Sequence, residues 1–196
     1  MEEARLGSLL EVIERDAEKI VPYSSDRCFV LKAEDQKVSD IIEGCKEKGI
    51  QIQFLDITSE FGVPCYRAFI RGPGGVILKG SGANLDGRRA ALSAMTEIPY
   101  PYPYWFGSMP APQGVSSLEY ESLPDYSTDN PTMDLHLMED LLITNGYNPI
   151  YVDLTRKDLN IPVVKTLIPG LEILTVFDRF SPLGIRQFGH YLKASQ

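Results

Sequence analysis

An internal repeat constrains the fold of this chain more than any single element does. The first copy covers residues 49–58 and resumes at 62–64, and the second covers residues 146–155 and resumes at 160–162. Glycine, aspartate and threonine recur 97 residues apart and proline recurs 98 residues apart. Aspartate and threonine at the end of a strand cap the turn with side-chain hydrogen bonds, and proline restricts entry to the next strand. The repeat therefore predicts two similar lobes of mixed α/β structure.

The remaining pattern predicts helices and strands around the two copies. Leu9, Leu10, Ile13 and Ala17 share one face of a helix predicted over residues 3–20. Further helices are predicted over residues 40–48 with Ser39 as N-cap, over 86–97 with Asp86 as N-cap, over 133–144, and near 183–192. Strands are predicted over residues 28–33, 50–57, 63–71, 76–79, 150–154 and 163–168.

These elements predict two lobes joined by a long loop. Lobe 1 covers about residues 1–98, the loop about 99–130 and lobe 2 about 131–196. Residues 99–112 hold five prolines and several aromatic residues, which excludes a helix or a central strand. The aromatic side chains are expected either to contact a partner or to cover a sheet edge.

Composition excludes several classes of function. The net charge is −8, from 19 Lys+Arg and 27 Asp+Glu, which disfavours binding to nucleic acid or to an anionic membrane. No stretch is long and apolar enough to span a bilayer, and the acidic start is unlike a signal peptide. We therefore expect a cytoplasmic chain. Because there are only two histidines, His136 and His190, chemistry would depend on carboxylates, arginines and backbone amides.

One candidate site lies on the first predicted helix. Glu11, Glu14 and Glu18 share one helical face, and Arg15 follows Glu11 by one turn. Two carboxylates on one face can share a Mg²⁺ ion, and an adjacent arginine can bind phosphate. The same spacing is also common on solvated helices, where such pairs contribute little stability.

A second candidate is the glycine-rich segment at residues 80–86, which leads into the helix that ends at Glu97. Its backbone amides could present donors to an anion at a helix N-terminus. The same residues also suit a hairpin exit followed by an N-cap. The segment is not a P-loop, because no Gly-Lys-Ser/Thr follows it.

Three blocks of the sequence resemble the YcaO-domain family in the order that the family has them. The first is LLEVIERDA at residues 9–17, which resembles the glutamate-rich helix of the family. The second block is GSGANLD with AMTE at residues 80–86 and 94–97, and the third combines residues 153–156, 161–164 and 168–172. Residues 123–127 look most like the subgroup that works with TfuA proteins and forms peptide thioamides.

The resemblance implies ATP-dependent modification of a peptide-backbone amide. A nucleophile adds to the amide carbonyl, ATP phosphorylates the oxyanion, and phosphate leaves to give a thioamide or an azoline. It implies that Glu11 and Glu14 bind Mg²⁺, and that Glu11, Glu14, Arg15 and Glu97 bind Mg²⁺-ATP. The implied partners are a peptide or protein substrate and a TfuA-like protein, and no catalytic residue is assigned.

The chain also departs from the family pattern. Ser93 stands where the family has arginine, and Pro99 breaks the helix after Glu97. The resemblance starts inside a family motif, and the family's N-terminal half has no counterpart. We therefore expect one partial domain over residues 1–196, inactive by itself, that associates with an N-terminal YcaO half or with itself. The alternative is a catalytically inactive YcaO-like module that binds a partner or a peptide.

Overall fold

A computed structural model of the chain describes residues 1–72, 76–98, 114–172 and 184–194. The described helices are α1 (Glu2–Ile20), α2 (Gln36–Glu47), α3 (Gly87–Thr96), α4 (Pro131–Thr144) and α5 (Ile185–Ala194). The described strands are β1 (Cys28–Lys32), β2 (Gln53–Asp56), β3 (Cys65–Arg71), β4 (Ile77–Ala83), β5 (Ser116–Glu119), β6 (Ile150–Asp153) and β7 (Val164–Leu167). The fold is therefore mixed α/β, as the repeat predicts. None of the described helices is both long and apolar enough to cross a membrane.

The chain divides into two compact units. The first, which we call the sheet unit, comprises Tyr23–Thr58 and Val63–Asp125. The second, the helical unit, comprises Met1–Pro22, Ser59–Gly62 and Tyr126–Gln196. The units differ from the predicted lobes, because α1 belongs with the second copy of the repeat rather than with residues 23–98. Whether the chain is part of a larger domain stays a prediction.

The sheet unit is built on a five-stranded sheet in the order β4-β3-β2-β1-β5. All neighbouring strands are antiparallel except β1 and β5, which are parallel. Its core joins Phe29, Phe54 and Tyr66 to small residues of α3 such as Ala90 and Ala94. Phe29 stacks on Phe54 with ring centroids 5.3 Å apart. Burial of this apolar surface is the main stabilising contribution to the unit.

The helical unit packs α1 beside α4, α5 and the antiparallel β6–β7 hairpin. Leu9, Ile13 and Ala17 on α1 are almost fully buried, as are Met138 and Leu142 on α4. The apolar spacing of α1 predicts this buried face, and the structure confirms it.

The α1 helix is also hydrogen-bonded to β7. The Ser8 hydroxyl donates to Thr166 Oγ1 at 2.8 Å and accepts the Thr166 amide at 2.7 Å. The Arg5 guanidinium lies 5.3 Å from the centre of the Tyr151 ring on β6. One face of the hairpin therefore lies against α1.

Both copies of the repeat begin with the same helix end. Gly49 and Gly146 follow α2 and α4 with φ angles of 70° and 85°, a region that favours glycine. The amide after each glycine donates back to the helix, from Ile50 to Cys45 and from Tyr147 to Leu142, both at 2.9 Å. This pairing is the Schellman motif, so both helices end by the same local mechanism.

Both copies also share one turn. In each copy the threonine amide donates to the aspartate Oδ1 at 2.8 Å, and the threonine hydroxyl accepts an amide at the start of the next strand or one residue before it. The residue two positions before the proline has positive φ in each copy, 71° at Gly62 and 51° at Asn160. The participating residues are Asp56, Thr58 and Cys65 in the first copy and Asp153, Thr155 and Val163 in the second.

Several predicted boundaries are wrong for identifiable reasons. The α2 helix begins at Gln36 rather than Asp40, because the Asp35 carboxylate caps it by accepting the Lys37 and Val38 amides. Ser39 is therefore inside the helix and is not its N-cap. The predicted strand over residues 50–57 is reduced to β2, Gln53–Asp56.

The predicted loop over residues 99–130 contains a strand. The β5 strand, Ser116–Glu119, pairs with β1 although its four residues are exposed and carry no apolar alternation. Backbone pairing with an existing strand formed it, and such pairing leaves no hydrophobic signal in the sequence. The aromatic, proline-rich part of the predicted loop, residues 99–113, lies outside the described residues.

Candidate functional site

The carboxylates predicted to bind Mg²⁺ lie on the outer face of α1. Glu11 is exposed and Glu14 is half-buried, whereas Val12 and Ile13 between them are buried. The helical period separates these two pairs, so packing of the apolar face presents the acidic face outward. Arg15 Nη2 lies 3.3 Å from Glu11 Oε1. Glu14 lies three residues after Glu11 on the same helical face, so the three residues form one patch on α1.

This donor set fits a magnesium ion. Mg²⁺ is usually held by one or two carboxylates together with phosphate oxygens and water, and Glu11 and Glu14 can supply two carboxylates. Within the described ranges, no group of three histidine, cysteine or acidic side chains is arranged to hold a metal ion. The remaining oxygen ligands of a site on α1 would include phosphate and water oxygens.

Glu97 lies in the sheet unit at the C-cap of α3, and its side chain is exposed. Its backbone packs closely against β4. A Cβ atom added to Gly80 would lie only 2.7 Å from the Glu97 carbonyl carbon, so only glycine fits there. A Cβ on Gly82 would lie 2.8 Å from the Ala94 nitrogen. The glycines therefore let α3 pack directly on β4, and this contact determines where Glu97 lies.

The glycine-rich segment is therefore not an anion-binding loop before a helix. Gly80, Ser81 and Gly82 lie within β4 and are paired with Ala68, Arg67 and Tyr66 of β3. The prediction of a short strand ending at Lys79 is wrong, because glycines at a close helix contact look like a turn when read from sequence alone. The second interpretation, an N-cap at Asp86, is confirmed: its side chain accepts the Arg88 amide at 2.9 Å.

A buried ion network lies on the opposite side of α1 from the acidic face. Asp16 is completely buried, and its Oδ1 accepts from the Arg186 guanidinium and, at 2.8 Å, from the Glu172 amide. Arg186 also donates to Glu60. Its guanidinium lies 5.4 Å from the ring centres of both Phe61 and Tyr147. The network thus joins α5 to α1 inside the helical unit.

The network changes the titration of its members. Burial raises the pKa of Asp16, and the hydrogen bonds from Arg186 and Glu172 offset part of that effect. Burial also acts to raise the pKa of Glu60, but the hydrogen bond and charge of Arg186 outweigh it and lower the pKa. The pKa of Arg186 rises, because its bonds to the two carboxylates outweigh its burial. The Arg186 guanidinium therefore stays protonated beside the two carboxylates.

Sequence reasoning did not identify Arg186, although one signal was available. Asp16 falls on the apolar side of α1, between Ile13 and Ala17 in the buried stripe. A carboxylate at a core position requires a cationic or hydrogen-bonding partner. The partner itself could not be named, since Arg186 is 170 residues away and does not share a motif with Asp16.

The two histidines lie on α4 and α5, far along the sequence from the acidic face of α1. His136 is exposed on α4 with its Nδ1 3.4 Å from Glu139, as its position on a helix surface predicts. His190 on α5 lies 3.6 Å from the Glu60 carboxylate, at the margin of the ion network.

The chain is similar in sequence to a longer archaeal protein. An uncharacterized protein of Methanothermobacter thermautotrophicus is 28% identical over 215 residues, which cover 89% of this chain and 54% of that protein. The chain therefore spans about half the length of this curated relative.

Solved structures share the fold. The heterocyclase TruD superposes with a TM-score of 0.68 at 22% identity, covering 89% of this chain and 28% of the TruD chain. A heterocyclase solved in complex with substrate and cofactor gives a TM-score of 0.69 at 22% identity, covering 88% of this chain and 27% of that one.

The sequence profile of one family matches nearly the whole chain. Its description is YcaO cyclodehydratase, ATP- and Mg²⁺-binding, and it matches residues 1–99 and 103–172. The match includes the acidic face of α1, the β4–α3 unit and the β6–β7 hairpin. The chain belongs to the YcaO family.

Proposed function

We propose that this chain supplies part of a YcaO-type enzyme that uses ATP to modify a backbone amide of a peptide. The observation that carries the proposal is the placement of Glu11, Glu14 and Arg15 on one outward face of α1, within a chain that the YcaO profile matches. Family membership supports the ATP-dependent reaction class. The roles of the individual residues are our proposal.

The chemistry is removal of the amide oxygen after its phosphorylation. A nucleophile forms a bond to the amide carbon, and the resulting oxyanion takes the γ-phosphoryl group of ATP, releasing ADP. The carbon–oxygen bond then breaks, and the amide oxygen leaves as part of inorganic phosphate. Such phosphoryl transfer depends mainly on positioning and on neutralising negative charge.

Within this scheme Glu11 and Glu14 hold Mg²⁺, which would neutralise phosphate charge when bound. Arg15 is paired with Glu11 in the structure. A cation bound to Glu11 would compete with that pair, and Arg15 would then be available to bind a phosphate oxygen. Glu97, positioned by the contact between α3 and β4, is a further carboxylate that we propose for ATP binding, by its place in the family's second block.

Equilibrium binding of Mg²⁺-ATP to the chain tests this site. We expect Glu11→Gln and Glu14→Gln each to weaken binding at least about tenfold, which is 1.4 kcal/mol. Glu18→Gln is the matched control, since Glu18 lies on the same face of α1 one turn beyond Glu14. Binding that the first two substitutions leave unchanged would remove the proposed roles of these residues.

The finer proposal is that the product is a thioamide and that a TfuA-like protein is the partner. Residues 123–127, which resemble the TfuA-associated subgroup, support it. Mass spectrometry of the modified peptide distinguishes the products, because thioamide formation exchanges one oxygen for sulfur whereas azoline formation removes one water. We further propose that the protein works in the cytoplasm, where ATP is available.

A second candidate is a catalytically inactive module that binds a partner or peptide. Two departures from the family pattern favour it for the isolated chain: Ser93 stands where the family has arginine, and Pro99 follows shortly after Glu97. If the wild-type chain binds no Mg²⁺-ATP at millimolar nucleotide, the module replaces the enzyme as the function of this chain alone.

A further inference from the structure

An open cavity of about 440 Å³ lies in the sheet unit, between α2, the second half of β1 and the segment that leads into β2. Its size is within the range of about 300–1,000 Å³ that is usual for ligand sites. Leu31 and Ile50 in its lining are buried, whereas Val30, Ile42 and Ile52 are only half-buried. An occupant would therefore cover apolar side chains that the chain leaves partly in solvent.

One wall of this cavity is an unpaired edge of β1. β1 pairs with β2 only at Cys28 and Phe29, whereas along its other edge it pairs with β5 as far as Lys32. Residues 49–52 lead into β2 and line the same cavity, so the β2 side of β1 faces it. Among the described residues, no strand pairs with Val30–Lys32 on that side. Such an edge presents backbone donors and acceptors to an added strand.

The edge is open because the chain before β2 is held elsewhere. The Ile50 amide donates to the Cys45 carbonyl at the end of α2, and the Ile50 side chain packs with Ile70. Continuing the β1–β2 register would place Ile52 opposite Leu31, but the pairing ends before these residues. Contacts on the far side of the segment therefore hold it away from β1.

The alternation of β1 determines which side chains an added strand would carry. Leu31 points to the face of the sheet that α2 and α3 cover, since it shares their apolar core. Lys32 points to the opposite face and is exposed. A residue opposite Leu31 would enter the cavity beside Ile42 and Ile52, and its neighbour in the added strand would lie across from Lys32.

The charges at the cavity favour a carboxylate across from Lys32. Lys46 of α2 also lines the cavity, and its Nζ lies 3.3 Å from Glu43 in an exposed pair of the kind that contributes little stability. Glu119 neighbours Lys32 on β5, along the edge of β1 that faces away from the cavity. The cavity side of Lys32 therefore has a cross-strand position that an acidic residue would fill favourably.

We propose that this cavity binds an extended peptide segment of another polypeptide, which adds as a strand to the Val30–Lys32 edge of β1. An apolar residue of the segment enters the cavity, and an acidic residue lies opposite Lys32. Backbone hydrogen bonds supply affinity in this mode of binding, and side-chain pockets supply specificity. The proposal goes beyond the proposed function, since no residue of the cavity is among those proposed to bind Mg²⁺-ATP. Its test uses no nucleotide, so either proposal can fail without the other.

Fluorescence anisotropy of a labelled peptide with blocked ends and the sequence TEVET tests the site on the full chain. The sequence is palindromic, so the central valine has a glutamate on each side whichever way the strand runs. We expect a Kd of about 1 mM or tighter. The peptide TEKET, which has lysine in place of the apolar residue, should bind at least about tenfold more weakly, because a charge would enter the apolar cavity.

Two N-methylated forms of TEVET test whether binding uses the backbone. Amides of alternate residues point to the same edge of a strand, so either the valine amide or the glutamate amides donate to β1. Methylating the donating set should weaken binding at least about tenfold, and methylating the other set should change it little. If neither form binds more weakly, the cavity captures a side chain and the added strand is wrong.

A charge reversal tests the predicted register. Lys32→Glu should weaken the binding of TEVET at least about tenfold and should allow the peptide TKVKT to bind. Lys37→Glu is the matched control, since Lys37 is exposed on α2 outside the cavity, and it should leave TEVET binding unchanged. Circular dichroism should show both variants folded, because both side chains are exposed. Equal effects of the two variants, or no binding of TEVET at millimolar concentration, would overturn the proposal.

Discussion

The two copies of the repeat have the same backbone and opposite environments. Each pairs its strands in the same register, ends its helix at a glycine with positive φ and closes its turn with the same Asp-Thr hydrogen bonds. Yet the first hairpin is central in a five-stranded sheet and the second forms a sheet of two strands. Local hydrogen bonds thus build the motif, and neighbouring elements decide whether it is buried.

The units around the copies also use different interactions. The sheet unit depends on an apolar core that joins Phe29, Phe54 and Tyr66 to the alanines of α3. The helical unit adds a buried ion network, in which Asp16 is held by Arg186. Substitutions in the two units should therefore differ in how much stability they remove and in the physical cause of that loss.

The largest effect is expected from Arg186→Met. It leaves the buried Asp16 carboxylate without its cation, and breaking a buried pair in this way costs about 3–5 kcal/mol. Chemical denaturation monitored in the helical unit measures the change. Arg156→Met is the control, because Arg156 pairs with Asp158 on the surface and should change stability little.

Adding Asp16→Asn to Arg186→Met should recover part of the lost stability, since an amide has no charge to compensate. If the double variant is no more stable than Arg186→Met, the loss comes from packing of the arginine rather than from an uncompensated charge. That result would remove the distinction between an ionic and an apolar unit.

Equivalent truncations in the two copies test the burial difference directly. Leu55→Ala removes a buried side chain and should cost about 2–5 kcal/mol. Val152→Ala, at the equivalent position, should change stability by less than about 0.5 kcal/mol in the chain alone. Urea unfolding of both variants gives the comparison. Similar losses at the two positions would show that the Val152 side chain is already covered in solution.

A methyl group at the contact between α3 and β4 should destabilise the sheet unit. Gly82→Ala places a Cβ 2.8 Å from the Ala94 nitrogen, and such overpacking typically costs about 1–3 kcal/mol. Gly44→Ala is the matched control, because a Cβ there meets nothing within 4 Å and alanine favours a helix. In thermal unfolding, Gly82→Ala should have a lower Tm than the wild type, and Gly44→Ala should have a higher one. An unchanged Tm for Gly82→Ala would contradict the close packing.

The smallest expected effect concerns the turn of the second copy. Two hydrogen bonds hold the pKa of Asp153 below its ordinary value of 3.8. The larger effect comes from the Thr155 side chain and the smaller from the Thr155 amide. Because this pKa is lowered in the folded state, the stabilisation is present above pH 3.8 and is lost as pH falls through the lowered value. NMR titration of the Asp153 carboxyl should show Thr155→Val raising the pKa. An unchanged pKa would leave the turn dependent on the backbone bond alone.

Local signals explain which parts of the fold could be predicted. The α1 stripe and the Asp86 cap depend on residues close together in the sequence, and the structure confirms both. The Asp35 cap was missed because Ser39 offers a similar local signal a few residues later. Periodicity and capping therefore located elements better than boundaries.

Long-range contacts explain the rest. β5 depends on pairing with β1, and the extension of β4 depends on α3 packing against Gly80 and Gly82. The Asp16–Arg186 pair joins residues at opposite ends of the chain. For the candidate site, the spacing of Glu11, Glu14 and Arg15 predicted a shared helical face, but nothing local indicated how Glu97 is held.

The sequence by itself determined the repeated motif, since its glycine, aspartate and threonine act through backbone conformation and hydrogen bonds to near neighbours. It also determined the acidic face of α1 and the membership of the YcaO family. Only the tertiary structure decided that Leu55 is buried and Val152 exposed. Burial is a property of the elements that surround a residue, and those elements are brought together by contacts that no local pattern encodes.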